Sequence, residues 1–258
     1  DKREAGFTWT DVPIPEIGRN QVLIKVEASA LCKSDVDVYE WTPLVEKANY
    51  DLPFIMGHEF AGTIVKVGED VEGYAEGDRV AGETHIPCGY CETCRTGNQH
   101  ICGNHMGVLG RTVDGCFAEY IALDKKALIR LPDNVSFQEG AILEPFATAM
   151  HAVSKANPSG KTLLIAGVGT IGQMAVEIAK YLGCTKLFAV DVSDKKLEES
   201  KNRGADVLIN GTREDLVEIV KRETDGCGVD AVIDFTGNER VINQEVEAVK
   251  IAGTIVHV

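Results

Sequence analysis

Residues 162–172 read Thr162-Leu163-Leu164-Ile165-Ala166-Gly167-Val168-Gly169-Thr170-Ile171-Gly172, a short apolar run that opens into G-x-G-x-x-G. The run predicts a buried strand, and Ile171 to Leu182 behind it carries apolar residues at helical spacing. Between a strand and a helix the glycines have a mechanical meaning. Gly167 permits the tight turn, Gly169 lets a pyrophosphate approach the backbone, and Gly172 lets helix and strand pack closely while the helix N-terminus, beginning near Ile171, faces the phosphates. Asp191 ends the next apolar run, nineteen residues after Gly172, where a carboxylate binds the adenine-ribose 2′-hydroxyl and repels a 2′-phosphate. The dinucleotide this favours is NAD, although Lys195 and Lys196 stand close behind.

The pattern continues outward from this unit. Lys186 to Val190 reads as a strand and Lys195 to Arg203 as a helix, with further strands near Val207 to Ile209, Asp230 to Asp234 and Thr254 to Val258, and helices near Glu214 to Arg222 and Arg240 to Val249. Strands alternating with amphipathic helices predict a doubly wound parallel sheet. Five strands are counted where this architecture ordinarily carries six, so the chain is expected to be a truncated copy. On the other side, Gln138 to Lys155 reads as one alanine-rich helix, followed by the loop Asn157-Pro158-Ser159-Gly160. The first half is β-rich and broken by Gly and Asp, with strands at Gln21 to Ala28, Gly62 to Val67, Arg79 to Ala81 and Phe117 to Leu123, as in a Greek-key or barrel-like domain. The predicted organisation is an α/β chain of two domains, 1–150 and 151–258.

Composition narrows the function classes. With 258 residues, 44% of them apolar, the chain can bury real cores. A net charge of -14 repels nucleic acid and anionic membrane, and no apolar run is long enough to span a bilayer. The charged first residues do not resemble a signal peptide. Half of the eight cysteines fall in fifteen residues at ligand spacing, which favours metal binding in a reducing compartment, the cytoplasm, over a disulfide scaffold.

Those four, Cys88, Cys91, Cys94 and Cys102, form C-x2-C-x2-C-x7-C. Thiolates so spaced can wrap one zinc ion in a closed tetrahedron, a structural site. A looser set, Cys32, His58, Glu59 and Glu144, offers a Cys, a His and carboxylates that could leave a position open for substrate on a catalytic zinc. By spacing alone they could as well be a core cysteine, a loop histidine and two solvated carboxylates.

The order C-K-S-D, G-H-E, four-cysteine lobe and G-V-G-T-I-G resembles the zinc-dependent medium-chain alcohol dehydrogenases over essentially the whole chain. Within them the threonine dehydrogenase branch is the most similar, through Thr10-Asp11-Val12-Pro13, Tyr39-Glu40-Trp41, Met56-Gly57-His58-Glu59, Gly82-Glu83-Thr84-His85-Ile86 and Gly115-Cys116-Phe117-Ala118-Glu119-Tyr120. The resemblance implies a GroES-like β-barrel catalytic domain followed by a Rossmann domain, two zinc ions and NAD per subunit, a small-molecule alcohol as partner, and a homo-oligomer, usually a tetramer. It lifts Cys32, His58, Glu59 and Glu144 to catalytic-zinc residues, gives Ser34 the hydroxyl that relays the substrate proton, and makes His85 a substrate-side contact. The implied reaction is oxidation of the secondary hydroxyl of L-threonine, with polyol, 2,3-butanediol or other secondary-alcohol dehydrogenation as the alternative. A non-catalytic protein that binds NAD and zinc is the alternative from another class. The chain departs from the family at Lys33, where glycine is common, and at Asp37, where histidine is common. Asp37 could carry protons as a carboxylate, and Lys33 could meet the cofactor's pyrophosphate. The stretch around Glu144, E-P-F-A-T-A-M-H, resembles polyol dehydrogenases as much as threonine dehydrogenases.

Overall fold

The computed structural model describes residues 3–48 and 50–258. The chain divides into two compact units, one ending at Glu144 and one beginning at Pro145. In the first unit the strands are β1 (Gln21–Ala30), β2 (Glu59–Val67), β3 (Arg79–Gly82), β4 (His85–Ile86), β5 (Gly107–Val108), β6 (Tyr120–Asp124) and β7 (Leu128–Arg130). Five of them make an antiparallel half-barrel in the order β6-β1-β2-β3-β7, and β4 and β5 pair as a separate ribbon. Alternation in β1 turns Val22 and Ile24 inward against Leu123 and Ile121 of β6 and against Val67 and Ile64 of β2. Each fully buried aliphatic side chain of this kind contributes about 1.5–3 kcal/mol. Phe60, Val80 and Leu109 complete that core.

The helices of this unit are α1 (Lys33–Glu40), α2 (Pro43–Ala48), α3 (Glu92–Arg95) and α4 (Phe137–Ala141). The strand expected from Phe117 begins only at Tyr120, because the backbone N–H groups of Gly115, Cys116 and Phe117 donate instead to the carbonyls of Ile55, Gly57 and Met56. The long helix expected over 138–155 is two, α4 and α5 (Leu143–Ala156), broken at Ile142. Pro145 accounts for the break. In a continuous helix its ring would clash with the carbonyl of Ala141, whereas in the first turn of a new helix its missing N–H costs nothing.

The second unit follows the expected alternation closely. β8 (Thr162–Ala166), α6 (Thr170–Tyr181), β9 (Lys186–Asp191), α7 (Asp194–Asn202), β10 (Val207–Asn210), α8 (Leu216–Glu223), β11 (Val229–Asp234), α9 (Glu239–Ala248) and β12 (Val249–His257) build an all-parallel sheet in the order β10-β9-β8-β11-β12. The central strand β8 is buried on both faces: Leu163 and Ile165 pack with α5 and α6, Leu164 and Ala166 with α8 and α9. This is why the strand reads as a continuous apolar run rather than an alternating one. β12 begins five residues earlier than its pattern suggests, because Val249 pairs with Val229 before the register shifts to put Thr254 opposite Ala231. No described helix is long and apolar enough to cross a membrane.

Candidate active site and metal centres

The four-cysteine run closes into one centre. Cys88, Cys91, Cys94 and Cys102 bring their sulfurs within 4.8 Å of one another, with Sγ separations of 3.9 Å (Cys88 to Cys94), 3.7 Å (Cys91 to Cys102) and 3.6 Å (Cys102 to Cys88). A tetrahedral ion with Zn–S bonds of about 2.3 Å requires sulfurs about 3.8 Å apart. The geometry therefore fits zinc, and all four sulfurs are free thiols. Gly89 and Gly97 turn the loop at positive φ, 81° and 86°. The ammonium of Lys126 donates to the Cys88 carbonyl at 2.9 Å and ties the lobe to the segment after β6.

The second constellation is assembled by strand register. Antiparallel pairing sets Ala30, the last residue of β1, opposite Glu59, the first of β2. Cys32, two residues beyond β1, is thereby carried to His58 and Glu59, and these three bring ligand atoms within 4.8 Å of one another. Gly57 aims His58: its φ is 92°, and a Cβ there would lie 2.5 Å from the Phe117 ring. Glycine alone satisfies both conditions. Glu144 stands outside the three-residue group but close enough for its charge to act on Glu59, and it accepts a long hydrogen bond, 3.4 Å, from the buried Thr84 hydroxyl.

Asp35, to which the sequence pattern assigns no role, joins the same cluster. The residue is 4% exposed; its Oδ2 accepts the Cys32 N–H at 2.9 Å, and Oδ1 lies 3.4 Å from His58 Nδ1. A carboxylate on Nδ1 leaves Nε2 for a metal and fixes the ring's orientation. The available signal was local: Cys32 precedes α1 and Asp35 is the third residue of that helix, the place from which an acidic side chain reaches back to the residue before the helix.

Electrostatics mark the same cluster. Burial disfavours the His58 imidazolium, but hydrogen bonds with Asp35 and Cys32 outweigh it and push the pKa up to about 10. The Cys32 thiol is lowered chiefly by its hydrogen bond with His58, against burial and with help from the Ser34 hydroxyl. Glu59 is raised by burial and then by Glu144, and Glu144 is raised by burial first. Carboxyl groups that resist ionising side by side are those a divalent cation would hold as carboxylates. The donor set of one thiolate, one imidazole and carboxylate oxygen suits zinc in an open site.

Ser34, on the first turn of α1, is exposed beside Cys32. Asp37 pairs with the ammonium of Lys33 one helical turn earlier, so the two departures from the family pattern neutralise each other's charge. His85, in β4, is 44% exposed and lies 3.6 Å from Glu83 Oε1.

In the second unit the glycine loop turns tightly and packs close to its helix. Gly167 has φ 84°, and a Cβ at Gly172 would lie 2.1 Å from the Gly167 carbonyl oxygen. Nothing lies within 4 Å of where a Gly169 Cβ would be, so the backbone there is open to a phosphate. Ile171 lies in the first turn of α6, packed against the core. Asp191 ends β9, accepts the Val168 N–H at 3.1 Å and the Ser193 N–H at 3.0 Å, and lies 3.9 Å from Lys196 Nζ.

Both units match known proteins. Residues 18–133 match the model of the alcohol dehydrogenase GroES-like domain, and residues 170–258 that of the zinc-binding dehydrogenase. The chain is 38% identical over 254 residues to L-threonine 3-dehydrogenase of Legionella pneumophila (98% of this chain, 74% of the relative) and 42% identical over 240 residues to that of Caldanaerobacter subterraneus (93% and 69%). Among solved structures, 2R,3R-butanediol dehydrogenase from Bacillus subtilis superposes with a TM-score of 0.85 at 32% identity, covering 96% of this chain and 73% of that one. With a glycine loop at the head of a parallel sheet, an antiparallel unit carrying two zinc-type ligand sets, and relatives of this identity and coverage, the chain belongs to the zinc-binding alcohol dehydrogenase family.

Proposed function

We propose that this dehydrogenase oxidises the secondary hydroxyl of L-threonine to 2-amino-3-oxobutanoate, with NAD as hydride acceptor and two zinc ions per chain. The observation that carries the reading is the convergence of Cys32, His58 and Glu59 in a chain about two-fifths identical to threonine dehydrogenases. Cys32, His58 and Glu59 would hold a zinc ion, which would supply Lewis-acid polarisation of the hydroxyl, and the glycine loop would hold the dinucleotide that accepts hydride. The chain's own residues do the rest. Asp35 holds His58 in one tautomer, Glu59 and Glu144 balance the cation's charge, and the Ser34 hydroxyl beside Cys32 receives the substrate proton. Asp37, three residues further along the same helix face, is the next acceptor. His85 contacts the substrate away from the metal. The four-cysteine centre stays structural, because four thiolates leave no position for substrate.

Asp191 at the end of β9 supports NAD over NADP, as its carboxylate would repel a 2′-phosphate. The free thiols, none paired in a disulfide, suit the cytoplasm. The family likeness supports a homo-oligomer.

A second reading, oxidation of a diol or polyol, is favoured by the likeness to butanediol dehydrogenase. A substrate panel separates the two. NADH formation from L-threonine, with little from 2,3-butanediol or sorbitol, is the expected result; the reverse order would replace threonine by a diol.

A further inference from the structure

The second unit carries a ligand-type cluster that the glycine loop does not use. Asp234 ends β11, His257 faces it across the parallel register in β12, and Glu245 projects from α9; one ligand atom of each lies within 4.8 Å of the others. Asp234 is held in place by the Thr236 N–H at 2.7 Å, the Thr236 hydroxyl at 2.6 Å and the Gly237 N–H at 3.2 Å, and its Oδ2 lies 3.4 Å from His257 Nδ1. Glu245 is different. It is fully buried, and neither carboxyl oxygen has a hydrogen-bond partner. A buried carboxyl with both oxygens unmatched is costly unless something else meets it.

We propose that Asp234, Glu245 and His257 form a further metal site that takes a divalent cation preferring oxygen and nitrogen ligands. Two carboxylates and an imidazole with no thiolate suit Mn²⁺ or Zn²⁺, and set this site apart from both cysteine-containing ones. A cation there would satisfy Glu245 and cancel the repulsion between two buried carboxylates 11 residues apart in the chain. The same repulsion, after burial itself, pushes the Glu245 pKa up to about 7. The place in the fold gives the ion a task. The turn after Asp234 packs on the glycine loop, where a Cβ at Gly167 would lie 2.9 Å from Thr236 Cγ2. An ion joining β11, β12 and α9 would brace that turn, and with it the loop that meets the dinucleotide.

Mn²⁺ is the probe, since thiolate sites loaded with zinc do not yield to it. Titration of Mn²⁺ into the chain carrying two zinc equivalents, enough for the two cysteine-containing sites alone, followed by electron paramagnetic resonance, should show one bound ion. Glu245→Gln, which keeps the side chain's shape, and His257→Asn should each weaken that binding about tenfold or more. Absence of bound Mn²⁺ in the parent chain, or equal affinity in Glu245→Gln, would overturn the assignment.

Discussion

The dinucleotide loop and the Cys32 centre solve the same problem, placing reactive groups at the ends of strands, by opposite routes. In the second unit the site is written in consecutive residues: Gly167 to Gly172 lie between one strand and one helix, and Asp191 ends the very next strand. In the first unit Cys32 and His58 are 26 residues apart and meet only because β1 and β2 pair with Ala30 opposite Glu59. A local site survives as long as its own turn folds. A site built by register depends on every element that fixes the register, and on the side chains that aim its ligands.

The sharpest break of this contrast is Ser34→Ala. Loss of a positioned proton acceptor should lower turnover about 10²-fold or more without changing zinc content, and steady-state kinetics with metal analysis would check both. Asp35→Asn tests the supporting layer of the register-built site. It should weaken metal binding there about 10- to 100-fold and leave the four-cysteine centre loaded, as competition with a chelator would reveal. In the local site, Asp191→Ala should cost about tenfold in NAD affinity and narrow the preference over NADP, measurable by nucleotide titration.

The smallest effect concerns stability rather than the site. Asp230 accepts the Thr162 N–H and hydroxyl, both at 2.8 Å, and pairs with Lys250. Burial opposes ionisation, but these bonds outweigh it and bring the pKa down to about 2. A depressed carboxyl stabilises the fold above its unfolded pKa, near 3.9, and the contribution disappears as pH falls through about 2. After allowance for solvent screening it amounts to about 1 kcal/mol. Asp230→Asn should therefore flatten the acid limb of the second unit's unfolding curve over that range.

How much could be read from the chain follows the same division. The parallel sheet was legible almost element by element, because its strands are continuous apolar runs and its helices are periodic. The four-cysteine centre was legible because one loop supplies all its ligands. Cys32, His58 and Glu59 needed a family resemblance to be joined, since nothing in their spacing encodes the β1–β2 pairing. Asp35 escaped because α1, with polar residues on most of its surface, gives little periodic signal; its position three residues after Cys32 was the remaining clue. The break between α4 and α5 was written in Pro145, whose effect falls on the carbonyl four residues earlier.

In the proposed division of roles, the register-built centre holds the catalytic metal and the four-cysteine centre a structural one. Cys32→Ser measures it directly, by metal stoichiometry and NADH formation on the same preparation. The expected result is loss of one zinc equivalent and of turnover with L-threonine, with the four-cysteine zinc retained. Loss of both metals together, or turnover that persists without the first, would contradict it.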